Sequence, residues 1–256
     1  MTHNIIPLTA FKDNYIWLFS DNAKNAVVVD PGDANPVLDA MQQNNLNLSS
    51  ILITHHHLDH SGGLEVLKRF FPNVIIYGSH SSPNKFITHR VKDGAGIAAL
   101  NFNFKVLEIP GHTLDHLAYY TDGVLFCGDT LFSAGCGRVF EGTAQQMYHS
   151  LQKLANLPDD TRVYCGHEYT LANLHFAERV EPGNKNIKNK IAQVKKQLAD
   201  SSCGLPSKLA EERLVNPFLR CEMPEVIAAV EQHVGDKLNN PVQVFHHLRE
   251  WKNNFV

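Results

Sequence analysis

Ser50-Ile51-Leu52-Ile53-Thr54-His55-His56-His57-Leu58-Asp59-His60-Ser61-Gly62-Gly63 is the stretch on which the fold turns. It opens on a short apolar run that reads as a buried strand. It then places four imidazoles and one carboxylate within the seven positions 54 to 60. A buried strand that stops abruptly in polar residues delivers them to the rim of a sheet. Neutral imidazole nitrogen and carboxylate oxygen are the donors that a borderline divalent cation such as Zn²⁺ prefers. On extended chain, side chains alternate, so His55 and His57 point one way and His56 the other. Asp59 and His60 are expected in the turn before Gly62-Gly63, ahead of a helix over residues 64–71. The spacing thus offers two neighbouring donor sets, His55 with His57 and Asp59 with His60. An acid inside the cluster and the strand-to-turn setting separate it from a tag-like histidine tract.

The rest of the chain bounds what such a cluster can serve. Its 256 residues, 43% hydrophobic and 19% charged, suffice for one large domain or two modest ones. A net charge of −3 gives no general pull toward nucleic acid or an anionic membrane. The five cysteines (Cys127, Cys136, Cys165, Cys203, Cys221) form an odd set without C-x-x-C spacing. That speaks against a disulfide framework or a structural zinc knot and for a reducing compartment. Residues 1–7 lack the basic and apolar regions of a signal peptide, and no stretch approaches a bilayer span. The expectation is a soluble, cytoplasmic monomer that binds neither nucleic acid nor membrane.

Short apolar runs alternate with turn signals over the first two thirds. Residues 15–19 and 26–29 flank a turn and read as a hairpin. Residues 117–120 and 124–127 bracket Asp122-Gly123, a second one. Helical patterns intervene at 34–45, 64–71 and 143–156. This α/β layout, with strands in sequential hairpins, predicts two sheets packed face to face with outer helices. After about Thr170 the segments 171–181, 184–200, 207–214, 223–234 and 241–253 are all helix-like, and Asn240-Pro241 reads as an N-cap followed by Pro at N1. The expected organisation is a domain over 1–170 followed by an α-helical domain over 171–256.

Further donors stand immediately after glycines at strand ends: Gly111-His112, Gly128-Asp129 and Gly166-His167. Glycine there permits a sharp turn and close backbone approach. The full set is His55, His57, His112, Asp59, His60, His167 and Asp129. It divides into one site of His55, His57 and His112 and a second of Asp59, His60 and His167, with Asp129 as the bridging carboxylate. Asp30, in Val29-Asp30-Pro31-Gly32, reads equally as a turn residue or as a carboxylate behind a ligand histidine. His56 and His116 read as supporting or structural residues.

The H-x-H-x-D-H run followed by single His, Asp and His donors resembles the metallo-β-lactamase superfamily. Residues 54–63, 127–132, 134–138, 140–143 and 165–170 more closely resemble glyoxalase II, the hydroxyacylglutathione hydrolases, and the similarity spans essentially the whole chain. The resemblance implies an αββα sandwich with a C-terminal helical domain. It implies two divalent metal ions, Zn²⁺ first and Fe or Mn as alternatives. It also implies hydrolysis of S-D-lactoylglutathione to glutathione and D-lactate, the second step of methylglyoxal detoxification. Family glutathione contacts map onto Arg138, Phe140, Tyr169, Arg249 and Lys252. Some members carry Lys and Tyr where this chain has Arg138 and Phe140; Arg keeps the cation, whereas Phe140 lacks the hydroxyl. Arg249 and Lys252 are three apart and share a helix face.

Metal coordination lowers the pKa of water from 15.7 toward about 7, and Asp59 is placed to accept and orient the nucleophile's proton. The leaving thiolate, with a parent pKa of about 8.5, needs no dedicated acid. A phosphodiesterase would want a basic face, which the charge does not supply. A lactonase or β-lactamase would have no use for Arg249 and Lys252. The nearest rival of another class is a glutathione persulfide dioxygenase, which needs a single iron.

Overall fold

The computed structural model describes residues 4–201 and 203–255. The chain falls into two compact units: residues up to Glu108 with Asp115–Gly128, and Ile109–Leu114 with residues from Asp129 onward. In the first unit, β1 (Ile5–Ala10), β2 (Asn14–Ser20), β3 (Asn25–Val29), β4 (Asn47–Leu52), β5 (Ile75–Ser79) and β6 (His89–Val91) form one sheet in sequence order. The first three strands are antiparallel, as the hairpin signal requires, but β3 to β6 run parallel. Sequential hairpins do not hold there. For the first two parallel pairs the cause lies in the connections: α1 (Asn35–Asn44) follows β3, while α2 (Leu58–Ser61) and α3 (Leu64–Phe70) follow β4. A helical crossover returns the chain to the end where the strand began, so the next strand aligns in parallel; β5 reaches β6 through residues 80–88 without a helix.

Strands β2, β3 and β4 are buried on both faces. Ile16, Leu18, Ala26, Val28, Ile51 and Ile53 form one core with Val37, Ala40 and Met41 of α1 and Leu64 and Leu67 of α3. Phe19, on the other face, meets a second, antiparallel sheet of β7 (Gly96–Ala99), β8 (Phe102–Glu108), β9 (Leu117–Thr121) and β10 (Val124–Gly128). Its ring centroid stands 4.9 Å from Phe102 and 5.8 Å from Phe126. Burying each such ring stabilises by about 1.5–3 kcal/mol. Helices, sheet and sheet are therefore layered within this unit, and β4 and β10 both end in candidate donors.

The second unit contains β11 (Leu131–Phe132), β12 (Gly135–Cys136), α4 (Ala144–Ala155), β13 (Arg162–Cys165), α5 (Thr170–Val180), α6 (Lys185–Ser201), β14 (Ser207–Lys208), α7 (Leu209–Val215), α8 (Pro224–Val234) and α9 (Pro241–Asn253). Thr143 and Gln146 form a reciprocal capping box that starts α4. Asn240 caps α9 through Gln243 N–H, with Pro241 in the first turn. Leu174 and Ala177 of α5, Ile187, Ile191 and Val194 of α6, and Val215 of α7 share one core. The helical pattern over 207–214 begins two residues late, because Ser207–Lys208 pairs with β13 as a short strand. Among the described residues no helix is long and apolar enough to cross a membrane.

Candidate metal centre

In the first unit the donors radiate from the end of β4. His55 and His57 lie on one side, and His56 turns to the other, where its Nδ1 pairs with Asp115 at 2.9 Å. Asp59 and His60 lie on the one-turn helix α2, not in an open turn, because the His57 carbonyl accepts from both His60 N–H (3.0 Å) and Ser61 N–H (2.9 Å). His116 stacks on His55, rings 4.6 Å apart and 14° from parallel. His116 thus packs against a donor ring, while His56 is held by Asp115.

The hydrogen-bond chain behind these rings starts at Asp30, which is buried and sits at φ 53°. Its Oδ1 accepts from Thr54 N–H at 2.8 Å, and its Oδ2 accepts from Thr54 Oγ1 at 2.7 Å. A hydroxyl has one hydrogen, so Thr54 Oγ1 can only accept from His55 Nδ1 at 3.0 Å. That places the His55 lone pair on Nε2, which faces His57 Nδ1 at 3.2 Å. Asp30 Oδ2 also takes His60 Nδ1 at 3.1 Å, which turns the Nε2 lone pair toward Asp59 Oδ2 at 3.4 Å. The sequence left Asp30 between turn and buttress; it is both, and its carboxylate sets two imidazole tautomers. Asn14 was missed: its amide donates to Asp59 Oδ2 at 3.0 Å and to the Asp59 carbonyl at 3.3 Å. No local signal marks an asparagine at a strand start for this role.

In the second unit, His112 Nδ1 donates to the Arg138 carbonyl at 2.8 Å. A carbonyl only accepts, so the His112 lone pair is again on Nε2, 3.6 Å from Asp129 Oδ2. His167 Nε2 lies 3.3 Å from the same oxygen. His167 stacks under Tyr169, 4.8 Å apart and 6° from parallel.

Donor spacing tests whether a cation fits. Two ligand atoms about 2.0–2.1 Å from one tetrahedral ion stand about 3.3–3.4 Å apart. The donor pairs here, at 3.2, 3.3, 3.4 and 3.6 Å, bracket that edge. Lone pairs aimed at carboxylate oxygens repel unless a cation lies between them, so the residues fit a divalent-metal centre. His246, His247 and Glu250 of α9 also group their donor atoms. Those rings are partly exposed, and among the described residues no hydrogen bond orients them from behind.

The residues assigned to substrate divide by environment. Arg138 and Phe140 are exposed, and Phe140 presents its ring to His112 at 5.2 Å. Arg249 is buried: its Nη1 donates to the Cys136 carbonyl at 2.7 Å, and its guanidinium lies 5.1 Å over Phe218. Lys252 lies over Phe176 and Phe255. Burial, and after it the charges of Arg249 and Arg138, bring the Lys252 pKa down to about 8. Three cations therefore sit within electrostatic reach of one another.

Residues 11–167 match the family model described as metallo-beta-lactamase superfamily, and residues 168–255 that of hydroxyacylglutathione hydrolase C-terminus. Hydroxyacylglutathione hydrolase of Nitrosomonas eutropha is 50% identical over 254 residues, covering 98% of this chain and 99% of that one. The hydroxyacylglutathione hydrolase of Photobacterium profundum is 49% identical over 248 residues, covering 97% and 98%. Among solved structures, ETHE1 from Myxococcus xanthus superposes with a TM-score of 0.66 at 25% identity, covering 98% of this chain and 97% of that one. BLEG-1 B3 metallo-beta-lactamase gives 0.64 at 22% identity, covering 85% and 99%, which speaks to the fold.

Proposed function

Because the chain belongs to the hydroxyacylglutathione hydrolase family of the metallo-β-lactamase superfamily, we propose that its donors form a dinuclear centre that hydrolyses S-D-lactoylglutathione to glutathione and D-lactate. The protein is a metal-binding thioester hydrolase. His55, His57 and His112 would hold one cation and Asp59, His60 and His167 the other, with Asp129 the carboxylate available to both sets. Zn²⁺ is the leading candidate, since a His-rich set with carboxylate suits it, and Fe or Mn are the alternatives. When bound, such cations would supply an activated water at neutral pH and Lewis acidity toward the thioester carbonyl. The observation that carries this reading is the tautomer control: Asp30 and the Arg138 carbonyl each present an imidazole lone pair toward a carboxylate at ligand-to-ligand spacing. The single-iron dioxygenase is not favoured by near-full-length likeness to hydrolases.

Asp59 is the residue that holds and moves the proton. Asn14 fixes it through Oδ2, and its side chain is 43% exposed, so it faces a position that substrate water can reach. No cysteine is needed as nucleophile: Cys127 and Cys165 are buried, and burial pushes the Cys136 thiol up to about 11. Arg138, Arg249 and Lys252 bind the glycyl carboxylate of the peptide, with Phe140 and Tyr169 flanking it. On the same reading, residues 1–170 form the catalytic domain and 171–256 the substrate-binding domain. The protein works as a cytoplasmic monomer, where a reducing glutathione pool keeps its five free cysteines as thiols.

Purified protein should hydrolyse lactoylglutathione far faster than a thioester of the same acid that lacks the peptide. Equal rates for the two would remove Arg138, Tyr169, Arg249 and Lys252 from the substrate site.

A further inference from the structure

Residues 129–138 run from one proposed ligand to the residue that orients another. The segment starts at Asp129, folds as the β11–β12 hairpin (Leu131 opposite Cys136, Phe132 opposite Gly135), and ends at Arg138, whose carbonyl fixes His112. An isolated two-stranded hairpin is marginal in water, and this one has only two residues per strand. Its apex residue Ala134 sits at φ 55°, a left-handed conformation that is costly for a residue bearing a Cβ. Something outside the hairpin must hold it.

Side chains of the C-terminal helices and their connection do so, through backbone groups in succession. Asn216 Nδ2 donates to the Phe132 carbonyl at 3.2 Å and the Gly135 carbonyl at 2.9 Å. Asn173 Nδ2 donates to the Ser133 carbonyl at 3.1 Å. Glu212 Oε2 accepts from the strained Ala134 N–H at 2.7 Å, and Arg249 Nη1 reaches the Cys136 carbonyl. Glu212 and Asn216 are both 0% exposed, and Asn216 Nδ2 approaches Glu212 Oε2 at 3.3 Å. A carboxylate taken wholly out of water is costly, and burial raises the Glu212 pKa accordingly. Gly135 and Gly137 close the fit: a Cβ on the first would strike the Asn173 amide, and on the second the Asp129 carbonyl.

We propose that Glu212 and Asn216 are positioning residues that hold this hairpin as one rigid strap, so that the orientation of His112 and the placement of the Arg138 side chain are set together. The proposal rests on the reading above that His112 is a ligand and Arg138 a substrate contact. Loosening the strap then acts twice: the Arg138 carbonyl drifts from His112 Nδ1, and the guanidinium drifts from the substrate carboxylate. Removing the Arg138 side chain acts once, because its carbonyl remains.

The test compares Glu212→Ala, Asn216→Ala and Arg138→Ala in full-length, metal-loaded protein, at a temperature well below the lowest Tm. Each is measured for KM with lactoylglutathione and for metal content after dialysis against a graded chelator series. Glu212→Ala, which leaves the Ala134 N–H without its acceptor, and Asn216→Ala should each raise KM and weaken metal retention by about tenfold together, the scale seen when a ligand's orienting partner is lost. Arg138→Ala should raise KM with metal retention within about twofold of wild type. If Glu212→Ala does not fold, Asn216→Ala and Asn173→Ala decide. A lowered Tm with both quantities unchanged, or a change in only one of them, overturns the proposal. Should wild type itself fail to hydrolyse the glutathione thioester, the functional reading falls, and the metal series alone decides whether the strap controls His112.

Discussion

Asp30→Asn isolates the tautomer control at the metal centre. The substitution is nearly isosteric, and asparagine tolerates the φ of 53° at this position as well as aspartate does. The Thr54 N–H at 2.8 Å requires an oxygen at Oδ1, so the new amide nitrogen takes the place of Oδ2. A donor then faces both Thr54 Oγ1, formerly at 2.7 Å from an acceptor, and His60 Nδ1, formerly at 3.1 Å. His60 must accept on Nδ1 and carry its proton on Nε2, the nitrogen turned toward Asp59. The Thr54 hydroxyl, now an acceptor for the amide, turns its hydrogen toward His55 Nδ1, so that ring must accept there and carry its own proton on Nε2 as well. One atom thus blocks two donor lone pairs. Each loss of a charge-assisted hydrogen bond is worth about 1.5–3 kcal/mol, or about 10- to 150-fold in affinity at 1.4 kcal/mol per decade. Chelator competition at fixed pH, read by metal content, should show at least a tenfold loss for Asp30→Asn, with a folded circular dichroism spectrum. Metal affinity and kcat both within twofold of wild type would refute the assignment of Asp30 as the hub.

Two further outcomes follow from the same geometry. His57→Ala and Asp59→Asn should each reduce kcat/KM by orders of magnitude while leaving Tm nearly unchanged, since neither side chain is fully buried; near-wild-type turnover in either would remove that residue from the centre. Lys252 must be protonated to attract a carboxylate, and its pKa of about 8 means the cation is lost as pH rises through that value. The kcat/KM for the glutathione thioester should therefore fall above pH 8, and Lys252→Met should abolish that limb. A wild-type profile that stays flat from pH 7 to 9.5 would exclude Lys252 from binding.

What could be read in the sequence divides along a physical line. A donor's chemistry is local: His55, His112, Asp129 and His167 each follow a strand or a glycine turn, and residue type with position suffices to nominate them. The alternation that separates His56 from His55 and His57 is equally local, because it follows from extended backbone alone. The C-terminal helices were legible for the same reason, since Asn240-Pro241 carries its own capping chemistry. The parallel run β3 to β6 was not, because pairing direction depends on where a crossover lands, and the short strands β5 and β6 lack hairpin turns. Nor could Asn14, Thr54, Glu212 or Asn216 be assigned.

Those unassigned residues share one property that explains more than a missed signal. Each acts by satisfying a group far away in the chain, as Asn14 does for Asp59 or Glu212 for Ala134, 78 positions distant. An imidazole can ligate through either nitrogen, so a motif rich in histidine leaves the choice open until something fixes the other nitrogen. Here Asp30 fixes it for His60, and through Thr54 for His55, while the Arg138 carbonyl fixes it for His112. The motif therefore nominates the donors, and the long-range partners decide which lone pair each one offers. Substitutions behind the rings should accordingly impair metal retention on a scale comparable to changes in the ligands' own surroundings, even though no local pattern in the chain marks them.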